Sequence, residues 1–199
     1  ALRRLVVDAS IRDVCALNFA SAKNPGGGFL GGRSILEKKL ARVSALYVTL
    51  LKAPAYYETN RATKSMIYTD HAIYSPGVPF FRDETLALRE APFVASIITM
   101  PAPNAGEHRK RNGAPDEVDA ALDRRVPMVL AMARAHAHST LVLGAWGCGV
   151  FRNDPMKVAT CFAKWLHTPA FEGAFERVVF AVYDRPKGAN RAAFDRVFA

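Results

Sequence analysis

Apolar residues along the chain fall into two rhythms. Runs at 5–7, 14–19, 66–74, 93–100, 141–143 and 178–183 are short and rich in Val, Ile, Leu, Tyr and Thr, which predicts strands. Ser75-Pro76 and Pro101 close two of them. Only residues 8–13 separate the first two runs. That is too few for a helical crossover, so this pair is expected to be antiparallel unless residues are missing between Asp8 and Asp13.

The second rhythm is helical. Leu36, Leu40, Val43 and Tyr47 share one face behind a Ser34/Glu37 capping box. Residues 118–137 repeat Val118, Leu122, Val126, Leu130 and Ala133, with Pro127 expected to kink or divide them. Asp154 followed by Pro155 starts a helix whose apolar face is Val158, Phe162, Trp165 and Leu166, and residues 190–198 form the last helix. Strands and helices in this order predict a single domain over residues 1–199. Its architecture is a three-layer α/β/α arrangement with a central mixed sheet.

Composition narrows the classes. With 199 residues, 50% apolar and 23% charged, the chain suits one globular domain and excludes disorder and long coiled coil. Neither a long apolar span nor a secretory leader is visible, so a soluble cytoplasmic protein with no membrane partner is expected. Cys15, Cys148 and Cys161 have no disulfide or zinc spacing, and no His is spaced for a metal. The net charge of +9 is spread along the chain and suits phosphate-rich partners in general. Its one tight cluster, His108-Arg109-Lys110-Arg111, reads either as a solvated loop or as a polyanion contact. Oligomeric state is not encoded in these patterns.

Two glycine-rich segments each follow a strand and precede a helix. Gly26, Gly27 and Gly28 form one, and 144–151 the other, with Gly147, Cys148, Gly149 and Val150 at its centre. Backbone N–H groups can converge there without Cβ obstruction, so two such loops can grip one pyrophosphate from two sides. Neither is a P-loop nor a dinucleotide fingerprint. Phe151 offers a ring to a ribose or adenine face and equally reads as a buried loop anchor. Cys148, with no His nearby in sequence, reads as a small residue where space is short.

The stretch Leu17-Asn18-Phe19-Ala20-Ser21-Ala22-Lys23-Asn24-Pro25-Gly26-Gly27-Gly28-Phe29-Leu30 resembles the signature of bacterial-type poly(ADP-ribose) glycohydrolases, of the macrodomain superfamily. Similar matches run through 74–82, 143–155 and 180–184, so the resemblance covers nearly the whole chain. It implies a macrodomain that binds terminal ADP-ribose at the strand ends, with no metal and no cofactor. It also implies roles: Asn24 holds the distal ribose, Gly26, Gly27, Gly28 and Phe29 shape the loop beside it, Gly147, Cys148, Gly149 and Val150 wrap the diphosphate, and Phe151 stacks on adenosine.

One segment departs from the pattern. Seven residues after the triple glycine the family carries Gln-Glu-Glu, whose second glutamate is the general acid; this chain has Leu36-Glu37-Lys38. Cleaving the ribose–ribose bond develops positive charge at the anomeric carbon and negative charge on the leaving oxygen. An ammonium opposes the first and, being about six pKa units weaker as an acid than a carboxylic acid, serves the second poorly. The expectation is an ADP-ribosyl hydrolase of altered linkage preference, acting on mono-ADP-ribose on protein or nucleic acid through Lys38 or Glu37. The alternatives are an inactive ADP-ribose reader and a residual poly(ADP-ribose) glycohydrolase.

Overall fold

The computed structural model describes residues 1–31, 36–184 and 188–199; for residues 29–31 and 36 it describes the backbone alone. A five-stranded sheet runs in the order β2-β3-β1-β4-β5. The strands are β1 (Val14–Phe19), β2 (Ile73–Arg82), β3 (Leu88–Met100), β4 (Thr140–Leu143) and β5 (Arg177–Phe180). β1, β3, β4 and β5 are mutually parallel and β2 joins β3 antiparallel, which makes the sheet mixed as expected.

Alternation along the central strands divides the core in two. Cys15 and Leu17 of β1, Ile98 and Met100 of β3, and Leu141 and Leu143 of β4 face one helical layer: α5 (Pro115–Ala135), α6 (Pro155–Leu166) and α7 (Ala189–Phe198). Val14, Ala16, Ile97 and Val142 face the other, where α1 (Leu36–Val43), α2 (Leu46–Leu50) and α3 (Pro54–Ala62) pack. The short α4 (Ala105–Lys110) follows β3. The result is the three-layer α/β/α arrangement. No helix among the described residues is long and apolar enough to cross a membrane.

Four local expectations are corrected. Residues 5–7 are not a strand: they lie in a helical turn, Arg4–Asp8, whose Leu5 and Val6 pack on the second core. A three-residue apolar run does not by itself separate strand from helix. The strand expected at 66–74 starts only at Ile73 and continues through Pro76 and Pro79, which an edge strand tolerates, with a register shift between Ser75 and Val78. The helix through Leu36, Leu40 and Val43 stops before Tyr47. Ser44 Oγ donates to the Leu40 carbonyl at 2.7 Å and accepts from Leu46 N at 3.2 Å, and the chain restarts as α2. Ser34 lies outside the described residues. Finally, α5 is one element of 21 residues across Pro127, because Val126, Val129 and Leu130 around the proline are held in the core.

Candidate functional site

The carboxyl ends of β1, β3 and β4 are neighbours, and each runs into a loop on the same side of the sheet, where open α/β folds hold ligands. After β1, Ser21 Oγ accepts from Lys23 N and Asn24 N at 3.3 and 3.1 Å, and Gly27 N donates to the Asn24 carbonyl at 2.9 Å. Gly26, Gly27 and Gly28 then take φ of 59°, 64° and 65°, a left-handed turn that a run of L side chains does not adopt. Phe29 belongs to this turn by its backbone; its side chain lies outside the described part of the structure.

The left-handed turn brings the backbone close to Glu37: a Cβ on Gly27 would sit 2.9 Å from Glu37 Oε2. Glu37 is not a surface capping partner. It is 1% exposed, with Oε2 accepting from Ser21 N at 2.7 Å and Oε1 facing the Asn18 amide nitrogen at 3.4 Å. Burial pushes its carboxyl up to about 7, against the opposing pull of Ser21, Asn18, Gly27 and Lys38. Asn18 Oδ1 is buried without a hydrogen-bond partner among the described residues. Lys38 follows on α1, 5% exposed, its side chain 3.5 Å from the same Gly27 Cβ position. Thus Glu37 and Lys38 both come to the glycine turn, while the side chain of Leu36 is not described.

The loop after β4 is also tightly wound. Gly147 takes φ of 74°, and a Cβ there would collide with the Asn153 amide and Ala102. Asn153 N donates to the Gly147 carbonyl at 3.1 Å and its side chain to the Trp146 carbonyl at 3.4 Å, folding the loop back to α6. Asp154 Oδ1 accepts from Met156 N at 2.8 Å and Lys157 N at 3.3 Å, the cap expected from the sequence. Gly149 faces open space and Val150 is 74% exposed, so this loop presents backbone outward. Burial pushes the Cys148 thiol up to about 12, which leaves it protonated at neutral pH and agrees with the small-residue reading.

Two residues at this end carried no functional signal in the sequence. Tyr68, in the loop before β2, is held at φ 64°, and its ring centroid lies 6.0 Å from that of Phe151. Asn104, at the end of the turn leaving β3, caps α4 through Glu107 N at 3.1 Å and reaches the Tyr68 hydroxyl at 3.5 Å. Gly106 N donates to the Phe151 carbonyl at 2.8 Å, tying the loops after β3 and β4 together. The Asn104 cap was readable from Pro103-Asn104 before a helix; nothing local marked Tyr68.

A mixed sheet between two helical layers, with glycine loops at the ends of adjacent parallel strands, defines a macrodomain. The family model described as "Microbial-type PARG, catalytic domain" matches residues 1–83. Poly(ADP-ribose) glycohydrolase from Deinococcus radiodurans, solved with ADP-ribose, is 46% identical at TM-score 0.90, over 98% of this chain and 78% of that one. The enzyme from Thermomonospora curvata is 47% identical at TM-score 0.92, over 99% of this chain and 72% of that one. The same enzyme bound to the inhibitor ADP-HPD is 46% identical at TM-score 0.91, over 99% and 75%. Among curated proteins, none matches at a significant level. This chain belongs to the microbial-type poly(ADP-ribose) glycohydrolase family.

Proposed function

We propose that this chain is a reader of terminal ADP-ribose, built on a glycohydrolase cleft in which hydrolysis of poly(ADP-ribose) has fallen to a residual level. The observation that carries the reading is Lys38, buried beside the glycine turn at the position to which the family signature assigns the general acid. ADP-ribose is the ligand of the solved Deinococcus radiodurans relative. In this reading Asn24 holds the distal ribose, Gly26, Gly27 and Gly28 let the backbone close on it, and Gly147, Cys148, Gly149 and Val150 wrap the diphosphate. Phe151, with Tyr68 beside it, meets the adenosine. The Lys38 ammonium attracts the diphosphate or the ribose oxygens and opposes the positive charge that bond cleavage would develop.

A second reading keeps slow glycohydrolysis through Glu37. A carboxyl pushed up to about 7 carries its proton half the time at neutral pH, the condition a general acid needs. Against it, both oxygens of Glu37 face donors of the fold, Ser21 N and the Asn18 amide, so the group acts first as a clamp on the glycine turn.

Calorimetry with ADP-ribose and a turnover assay with short poly(ADP-ribose) test the proposal together. A reader binds ADP-ribose, leaves the chain largely intact, and keeps its affinity within about tenfold on Lys38→Ala. Absence of ADP-ribose binding sinks the reader, and efficient shortening of the chain restores the glycohydrolase. Release of ADP-ribose only from mono-ADP-ribosylated protein or DNA, lost on Lys38→Ala, replaces the reader by a hydrolase of altered linkage.

A further inference from the structure

Several surface cations pair with carboxylates, Lys157 with Asp119, Lys164 with Asp123 and Arg191 with Asp195, while others donate to carbonyls, as Arg89 Nε does to Arg82 at 3.1 Å. Beside the cleft three bonds of the second kind are strung together. Arg61 Nε donates to the Lys23 carbonyl at 2.9 Å, Arg111 Nη1 to the Lys64 carbonyl at 3.1 Å, and Arg109 Nη2 to the Arg152 carbonyl at 3.4 Å. In each case the residue that lends its carbonyl is itself a cation, so hydrogen bonding gathers positive charge rather than cancelling it. Arg61, Lys64, Arg109, Arg111 and Arg152 are exposed. Two carboxylates contact α4 in this band: Glu117, 3.2 Å from His108 Nε2, and Glu107. The bond of Glu107 to Lys110 at 2.6 Å holds it below the usual carboxylate range, with Arg111 and Arg152 adding to the effect.

The band has a direction. Lys23 immediately precedes Asn24 and the triple glycine, and Arg152 immediately follows Phe151. Between them the hydrogen bonds step from the loop after β1, through the end of α3 and the loop behind it, to α4, and then to the loop after β4. A continuous basic rim therefore starts beside one glycine loop and ends beside the other.

We infer that this rim is a track for the phosphates of the poly(ADP-ribose) chain beyond the terminal unit, so that the protein prefers chain ends to free ADP-ribose. The inference rests on the proposed cleft, in which the distal ribose lies against Asn24, next to Lys23. The chain continues from that sugar, and each further unit brings two phosphate charges. Once the end is seated, contact with the rim is intramolecular and gains effective concentration. Nucleic acid has the same charges, but the contiguity of rim and cleft favours a polyanion whose end is already held.

The test compares ADP-ribose with purified chains of about ten units as salt rises. If the rim neutralises four phosphates, the chain adds about −2.8 to the logarithmic salt slope. Its advantage over ADP-ribose then falls roughly fiftyfold between about 50 and about 200 mM salt. Lys64→Glu with Arg111→Glu should abolish that advantage and leave ADP-ribose affinity unchanged, and the milder Lys64→Gln with Arg111→Gln should halve the added slope. The control, Arg4→Glu with Arg12→Glu, changes net charge equally at the opposite end of the sheet and should keep the advantage. Equal loss in both double variants, or no preference for the chain in the parent protein, overturns the track. So does single-stranded DNA binding the rim as tightly as the chain does. Failure of ADP-ribose itself to bind is a different result, and overturns the cleft.

Discussion

Glu37 and Lys38 occupy one turn of α1 and answer to different demands. Glu37 is fixed by the fold, so its ionisation is tied to stability. Its carboxyl titrates at about 7 in the folded chain, against an ordinary value of 4.5. Between those values the native state holds more protons than the unfolded state, so stability falls as pH rises from about 4.5 to about 7, by on the order of 3 kcal/mol. Glu37→Gln, neutral at every pH, should flatten this slope in urea denaturation at about pH 5 and about pH 7.5; an unchanged slope assigns the dependence to another group. Lys38, in the proposed cleft, answers to the ligand. If a missing general acid is the main defect, Lys38→Glu should raise the initial rate of poly(ADP-ribose) cleavage by about 10² to 10⁴. An unchanged rate would mean that the surrounding pocket has diverged as well.

At the scale of elements, the loop before β2 is held by a partner far along the chain. The fully buried guanidinium of Arg125 on α5 donates to Asp70 at 2.6 Å, to the carbonyls of Ile67 and Tyr68 at 2.8 and 3.1 Å, and to Pro101 at 3.2 Å. Burial raises the Asp70 carboxyl, but hydrogen bonds from Arg125 and Arg124 outweigh it and hold the group below its usual range. This stabilisation is therefore lost only as pH falls through that lowered value. Arg125→Met strands three carbonyls and leaves Asp70 with Arg124 alone. It should cost about 3–5 kcal/mol in denaturation and, by releasing Tyr68 from its place beside Phe151, weaken ADP-ribose binding in calorimetry. Full retention of affinity would exclude Tyr68 from the ligand site.

The same clasp shows why the 66–74 run misleads when read as sequence. Met66, Ile67 and Ile73 are buried, but the carbonyls of Ile67 and Tyr68 are satisfied by Arg125, and Thr69 N by Asn60 Oδ1 at 3.0 Å, instead of by a ladder. Local signals were legible where the partner is local, as Asp154 and Pro155 start α6; β1 and the buried half of β3 were legible as short apolar runs. The burial of Glu37 was not legible, because Ser21 and Asn18 meet it only in space; Ser34, its capping partner in the sequence reading, lies outside the described residues. Both glycine loops were legible because positive φ leaves glycine few substitutes.

At the scale of the whole molecule, the sheet sets the two loops side by side. Ala16 of β1 pairs with Val142 of β4, and the strands leave the sheet in the same direction. At the seam, a Cβ on Gly144 would lie 2.8 Å from the Ala181 carbonyl and 3.0 Å from the Phe19 ring, so the ends of β1, β4 and β5 close to contact. If one diphosphate spans both loops, damage to either should blunt the effect of damage to the other. Gly27→Ala and Gly147→Ala supply the damage, since both positions have positive φ, 64° and 74°, and little or no room for a methyl group. Their costs in unfolding free energy should add within about 0.5 kcal/mol, as for independent sites. Their losses in ADP-ribose affinity should not: the double variant should bind better than the product of the single losses implies, with a coupling of about 0.5–3 kcal/mol. Denaturation measures the first quantity and calorimetry the second. Additive binding losses would mean that the loops do not share a ligand, and the cleft would then have to be rebuilt around the β1 loop alone.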